Sequence, residues 1–243
     1  MPFKTSLNYS PNFSSKKRQK KEVRFIILHY TGMKSEKAAI NRLTNIQSQV
    51  ASLYLITRNW KIINLVPDLY IAWHAGVSFW KNFNSLNKSS IGIEITNPGH
   101  QFGYKKFSKK QINSLINLIK FLIKKYKINK KNIIGHSDIA PDRKKDPGEK
   151  FPWEYLAKKN ISFWYNLDKQ KLRKLRKKKC NKAMKTIFFK NILNIGYSKK
   201  NKNNIKKDQY FEFLVKAFQR RFRQKLVDGK IDQECLLISQ NLI

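Results

Sequence analysis

The sequence predicts an α/β fold, with a mixed central sheet flanked by helices, followed by a small C-terminal domain of three helices. Short apolar runs of strand length alternate with amphipathic helical stretches through residues 1–165. Residues 184–243 show helical periodicity alone. A lysine-rich linker at 166–183 separates the two parts.

The predicted elements of the first part follow one another closely. They are a strand at 24–29, a helix at 35–46 capped by Ser35, a hairpin of strands 53–57 and 61–66, a strand at 91–96, a helix at 108–127 and a strand at 132–135. Ser108 and Gln111 form a capping-box pattern at the start of the longest helix. Trp60 lies in the hairpin turn, where a bulky residue disfavours a left-handed backbone.

The charge is strongly unbalanced. The chain has 243 residues and a net charge of +37, from 52 Lys+Arg against 15 Asp+Glu. The excess is either compositional, since Lys, Asn and Ile abound, or an attraction to a polyanion such as nucleic acid or an anionic cell wall. The basic run at 169–179 lacks the interleaved aromatic residues that stacking on bases needs, so no specific nucleic-acid partner is expected.

Cysteine content and the N-terminus bear on the compartment. Cys180 and Cys235 are far apart, which favours packed thiols over a disulfide framework. No apolar run approaches the roughly 20 residues of a membrane span. Residues 1–15 contain neither an apolar signal-peptide core nor a lipobox-like cysteine. We therefore expect a cytoplasmic protein, with the periplasm or cell envelope as the alternative compartment. We also expect a monomer.

Two apolar strands end in a histidine, His29 and His136, and Asp146 follows in a Pro-Gly loop. Imidazole nitrogens and a carboxylate oxygen suit zinc, and a catalytic zinc needs three protein ligands and one open position. Proline fixes the backbone after Asp146, and glycine permits a sharp exit. Asp-Pro-Gly is also a turn signal by itself, so a simple turn aspartate is the alternative.

Glu94 stands in an otherwise apolar strand. Burying a carboxylate is costly unless it is paired or functional, and burial raises its pKa toward neutrality, which suits a general base. A structural ion pair is the alternative.

Five fragments, in order, resemble one enzyme family: ILHYT around His29, Trp73-His74-Ala75-Gly76, SIGIEI at 90–95, GHSDIAP at 135–141 and RKKDPGEKFPW at 143–153. Together they are similar to the zinc-dependent N-acetylmuramoyl-L-alanine amidases of the AmpD/AmiD type, over roughly residues 7 to 165. The resemblance implies one zinc held by His29, His136 and Asp146. It also implies that Glu94 activates water, that Lys144 stabilises the oxyanion, and that the substrate is bound by Tyr30, Trp73, His74 and Asn97.

The C-terminal pattern GY…AFQRRFR…DGKID is similar to a three-helix peptidoglycan-binding domain, and an ordinary helical bundle is the alternative. The resemblance of residues 7 to 165 to the amidases implies hydrolysis of the amide between N-acetylmuramic acid and L-alanine, in intact wall or in recycled anhydro-muropeptides. The rival interpretation is a non-catalytic peptidoglycan sensor. Leu53 replaces the family's usual histidine, which implies the loss of a polar group from the cleft. His100 is expected to be inert. A chain ending near Trp164 is expected to cleave soluble muropeptides.

Overall fold

The computed structural model describes residues 5–200 and 205–243, so residues 201–204 of the predicted C-terminal domain lie outside the described residues. The strands are β1 (Thr5–Leu7), β2 (Phe13–Ser14), β3 (Phe25–Tyr30), β4 (Tyr54–Ile56), β5 (Ile62–Asn64), β6 (Ile71–Ala72), β7 (Phe79–Trp80), β8 (Phe83–Asn84), β9 (Ser90–Ile95) and β10 (Ile133–Gly135). The central sheet has the order β1-β5-β4-β9-β3-β10. Within it β4 and β5 pair antiparallel and the other neighbours pair parallel. The predicted mixed sheet is confirmed.

The helices lie on both faces of this sheet. They are α1 (Glu36–Thr44), α2 (Lys109–Tyr126), α3 (His136–Ile139), α4 (Trp153–Lys158), α5 (Lys169–Leu175), α6 (Lys182–Ile195), α7 (Lys207–Phe222) and α8 (Gln233–Asn241). Ser35 caps α1, and Ser108 and Gln111 form the predicted capping box of α2. No helix among the described residues is long and apolar enough to cross a membrane.

Alternation along β3 assigns its side chains to two separate cores. Ile26 and Leu28 pack with the apolar face of α2. Phe25 and Ile27 pack in a second cluster that also contains residues of α6, α7 and α8. The three predicted C-terminal helices are therefore present, and they cover the opposite face of the sheet from α2.

The predicted linker contains a helix that packs against the C-terminal layer. Leu172 in α5 is buried. Arg176 makes two hydrogen bonds to the Glu234 carboxylate, of 2.6 and 2.7 Å. The segment is thus a packed connection where it is described, and no free tether. The division into 1–165, 166–183 and 184–243 stays a prediction.

The hairpin turn differs from expectation. Trp60 does adopt a left-handed backbone, with φ of 54°. Its carbonyl accepts a hydrogen bond of 2.7 Å from Ser114, and the Lys110 ammonium lies 4.1 Å from the centre of its ring. These contacts with α2 offset the strain of a non-glycine residue there. Both cysteines are buried free thiols, as predicted.

Candidate metal centre and active site

The site lies where three neighbouring parallel strands end. His29 in β3 and Glu94 in β9 are direct partners in the sheet. Gly135, the last residue of β10, is paired with Leu28, so His136 follows beside His29. Polar groups at the carboxyl ends of parallel strands meet at one edge of a sheet, which is where such sheets commonly bind ligands.

Three buried side chains converge on one point at this edge. His29 Nδ1 lies 2.9 Å from His136 Nδ1 and 3.0 Å from Asp146 Oδ2, and the last two atoms are 3.1 Å apart. Ligand atoms at the corners of a zinc tetrahedron are about 3.3 Å apart, because each bond is about 2.0–2.2 Å long. A small expansion of this triangle would accommodate the ion, and these residues form a group able to hold a metal.

The remaining ring nitrogens support the same interpretation. His136 Nε2 lies 3.1 Å from the Ala75 carbonyl oxygen, and His29 Nε2 lies 3.1 Å from His74 Nδ1. Histidines that bind metals commonly donate their second ring N–H to such a group, which fixes the ring and its tautomer. The residues present therefore fit a zinc ion.

The electrostatics of the cluster favour a neutral His29 and an ionised Asp146. Burial and the neighbouring His136 lower the pKa of His29 to about 4. Burial opposes ionisation of Asp146, but the two histidines hold the pKa of its carboxyl well below the ordinary value. Neutral imidazole and carboxylate are the forms that bind metal.

Glu94 is the carboxylate nearest to this cluster along the sheet. Burial, and then the charge of Asp146, raise its pKa to about 8, while Lys144 and Arg42 act in the opposite direction. Its Oε2 is buried and has no hydrogen-bond partner among the described residues. The structural ion pair considered as an alternative is not formed within that part of the chain.

A cavity of about 710 Å³ opens over the cluster. Glu94 and Lys144 both line it, together with three further cationic residues, Arg42, Arg143 and Lys145. The volume is typical of a ligand site, and the basic rim suits an anionic ligand. Sequence reasoning did not identify Arg42, since nothing near it in the chain marks it as a site residue.

The wall around Tyr30 contains a histidine that was expected to be inert. Tyr30 Oη lies 2.8 Å from His100 Nδ1, and His100 Nε2 lies 3.1 Å from Glu149. Tyr104 stacks on His100 with ring centres 4.4 Å apart. Gly148 has a φ of 84° and lies so close to Tyr104 that a side chain would clash. This wall supports the loop that carries Asp146.

The other predicted substrate-binding residues have different positions. Trp73 lines the cavity and its Nε1 donates to Ser14 Oγ at 3.2 Å. His74 also lines the cavity, and both its ring nitrogens contact protein groups. Asn97 is not among the residues that line the cavity, because its carboxamide bonds the backbone at Lys105 and Gly99. Leu53 lies in the α2-side core, so it removes no polar group from the cavity.

The C-terminal layer reaches the segment that carries His136. Asp138 and Arg221 form a buried ion pair of 2.8 Å, and each side chain is 1% exposed. Tyr197 donates to the other Asp138 oxygen at 2.7 Å, and Asp138 Oδ2 also accepts from the Gly135 backbone N–H. Both α7 and the residues after α6 therefore fix the turn that contains His136.

Comparisons with known proteins agree with this site. A family model described as N-acetylmuramoyl-L-alanine amidase matches residues 19–149. The chain is 32% identical over 233 residues to N-acetylmuramoyl-L-alanine amidase AmiD of Escherichia coli (strain K12), covering 91% of this chain and 82% of that protein. It is 42% identical over 113 residues to 1,6-anhydro-N-acetylmuramyl-L-alanine amidase AmpD of Haemophilus influenzae, covering 46% of this chain and 59% of that protein.

A solved structure gives the same result. The complex of E. coli AmiD with anhydro-N-acetylmuramic acid-L-Ala-D-gamma-Glu-L-Lys superposes with a TM-score of 0.77 at 31% identity. The match covers 94% of this chain and 91% of that chain, so the similarity includes the C-terminal helices.

Proposed function

The chain belongs to the N-acetylmuramoyl-L-alanine amidase family, and from that premise we propose that it hydrolyses the amide between N-acetylmuramic acid and L-alanine in peptidoglycan or muropeptides. The observation that carries the proposal is the meeting of His29, His136 and Asp146 in one cavity with Glu94, whose Oε2 has no hydrogen-bond partner among the described residues. A protein that only binds peptidoglycan has no need of this set.

We propose His29, His136 and Asp146 as the ligands of one zinc ion. Bound zinc would supply Lewis-acid polarisation of the scissile carbonyl and would lower the pKa of water at the site. The lowered pKa of the buried His29 and the lowered pKa of the Asp146 carboxyl support this assignment.

Glu94 is the proposed general base. It takes a proton from the attacking water as the new C–O bond forms, and returns it to the nitrogen of L-alanine as the C–N bond breaks. The products are a free lactyl carboxylate and a free amine. Lys144 lies on the cavity wall, where its ammonium can stabilise negative charge on the carbonyl oxygen.

The substrate class follows from the charge of the cavity. Stem peptides carry free carboxylates, and Arg42, Arg143 and Lys145 line the cavity beside Lys144. The AmiD complex contains an anhydro-muropeptide, which supports a soluble muropeptide as the first substrate to test. Cytoplasmic action as a monomer is proposed with it, and cell fractionation separates this compartment from the periplasm or envelope.

The test replaces Glu94 by glutamine in the full chain. Glu94→Gln is expected to fold and bind zinc, and to lose roughly two or more orders of magnitude in kcat on a purified muropeptide. Glu154→Gln is the matched control, because Glu154 lies outside the cavity lining. A Glu94→Gln protein that cleaves at the wild-type rate would refute the assigned base. A zinc-loaded wild-type chain that binds muropeptide without cleaving it would favour the sensor interpretation.

A further inference from the structure

A chain of buried hydrogen bonds runs from the proposed ligand His29 away from the cavity. His29 Nε2 lies 3.1 Å from His74 Nδ1, and His74 Nε2 lies 3.2 Å from Ser90 Oγ. Ser90 Oγ in turn lies 2.6 Å from the carbonyl oxygen of Leu86. The four residues are at most 7% exposed, so solvent does not compete for these bonds.

The Leu86 carbonyl fixes the direction of donation along this series of hydrogen bonds. A carbonyl oxygen can only accept, so the Ser90 hydroxyl donates its single hydrogen to Leu86. Ser90 Oγ must then accept from His74, which places the hydrogen of the neutral His74 ring on Nε2. The bare Nδ1 of His74 must in turn accept from Nε2–H of His29.

The consequence appears at the metal site. A neutral imidazole carries one ring hydrogen, and in His29 the chain requires it on Nε2. His29 Nδ1 is then left with a free lone pair, directed at His136 Nδ1 and Asp146 Oδ2. If these hydrogen bonds ran in the opposite direction, the Leu86 carbonyl would not receive the Ser90 hydrogen. His29 would then carry its hydrogen on Nδ1, the atom proposed to bind the metal.

The loop that contains His74 and Ala75 also orients His136. The Ala75 carbonyl lies 3.1 Å from His136 Nε2, and it too can only accept, so His136 Nδ1 also carries a free lone pair. The backbone N–H groups of His74 and Ala75 both donate to the Asn87 side-chain oxygen, at 3.1 and 2.7 Å. That double contact holds the two supporting groups in place.

Space for the His74 ring comes from β9. A side chain at Gly92 would put its Cβ 2.5 Å from His74 Cγ, closer than any real contact. The ring therefore rests directly on the strand that carries Ser90 and Glu94. It packs edge-on against His29, with ring centres 5.2 Å apart and planes at 86°.

We propose that His74 and Ser90 are positioning residues that select the tautomer of His29 able to bind zinc through Nδ1. This rests on the proposed function of His29, His136 and Asp146 as the zinc site. It adds the support of a metal ligand to the role predicted for His74, which also lines the cavity.

The experiment compares two nearly isosteric variants of the full chain. His74→Asn places an amide oxygen near the position of the ring Nδ1, whereas His74→Leu has a similar shape and no acceptor. Zinc affinity, measured by chelator competition, is expected to fall about 10- to 100-fold in His74→Leu. The fall in His74→Asn should be markedly smaller. Ser90→Ala should lower the affinity as well, and Ser90→Thr, which keeps the hydroxyl, should restore it.

A spectroscopic measurement reports the tautomer directly. Long-range ¹H–¹⁵N spectra of the metal-free protein, labelled at histidine, should show His29 with its hydrogen on Nε2 in the wild type and a mixture in Ser90→Ala. Wild-type spectra with the hydrogen on Nδ1, or unchanged zinc affinity in both His74→Leu and Ser90→Ala, would overturn the inference. His29→Ala distinguishes failure of the proposed zinc site from failure of the proposed tautomer selection. Retention of zinc by that variant would contradict the zinc site itself.

Discussion

The C-terminal helical layer should be required for the amidase fold, and a chain ending at Tyr165 tests this. Six sheet-side residues pack in the same core as α6, α7 and α8: Phe25, Ile27, Trp80, Leu86, Ile134 and Ile139. Each is at most 1% exposed. Burial of one such side chain stabilises a fold by about 1.5–3 kcal/mol. Exposing all six by removing the C-terminal helices should therefore destabilise the fold by about 10 kcal/mol or more.

The truncation also breaks the buried pair of Asp138. Removing one partner of a buried ion pair costs about 3–5 kcal/mol, and the whole stability of a domain is only about 5–15 kcal/mol. The structure thus leads to the opposite of the sequence-based expectation that such a chain stays active.

The assay measures the melting transition, the zinc content and muropeptide cleavage of the shortened and full chains. Full-length Arg221→Met measures the combined loss of the ion pair with Asp138 and of the hydrogen bond to the Ile133 carbonyl. Full-length Lys199→Ala, at an exposed lysine, is the control. The shortened chain is expected to lack a cooperative transition and to be inactive. Cooperative melting within a few degrees of the full chain, with one zinc and normal cleavage, would refute this reasoning.

The remaining predictions concern metal, pH and wall binding. The purified protein should carry about one zinc per chain, and His136→Ala should lose it by metal analysis; full occupancy in that variant would contradict the ligand set. Burial raises the pKa of Glu94 to about 8 from an ordinary 4.5, so its stabilising contribution is lost as pH rises through about 8. The lowered pKa of His29 has no effect on stability above pH 6.5, so the metal-free protein should melt lower at about pH 9 than at about pH 7; an equal drop in Glu94→Gln would exclude Glu94 as the cause. The full chain should pellet strongly with insoluble wall at low salt and partly at about 1 M salt, where exposed charges are screened within about 3 Å. Complete loss of pelleting at high salt would leave charge as the sole attraction.

The three proposed zinc ligands could be predicted as a group because their signals in the sequence are local. His29 and His136 each follow a short apolar strand, and Asp146 precedes Pro-Gly. Parallel pairing of β3 and β10 then brings the two strand ends together. Glu94 was recognisable because a carboxylate in an apolar strand is costly unless it has a function.

The supporting residues could not be predicted, because their partners are distant in the chain. Arg221 looks like any basic residue of an amphipathic helix, yet it is buried against Asp138, 83 positions earlier. His100 precedes its partner Glu149 by 49 positions and has no strand or turn pattern around it. Asn97 does not line the cavity because its side-chain oxygen accepts a hydrogen bond from the backbone N–H of Gly99, in the turn that follows it.

The close approach of Gly92 to the His74 ring also constrains how this chain can vary in evolution. Any side chain at position 92 would meet the ring at 2.5–2.8 Å, so the glycine of the SIGIEI fragment is determined by a residue in a different fragment. A relative that keeps the histidine must keep the glycine, whereas a relative with a smaller residue at position 74 is free to gain a side chain at 92. Across an alignment the two positions should therefore change together, and substitution at 92 alone should be absent from active enzymes.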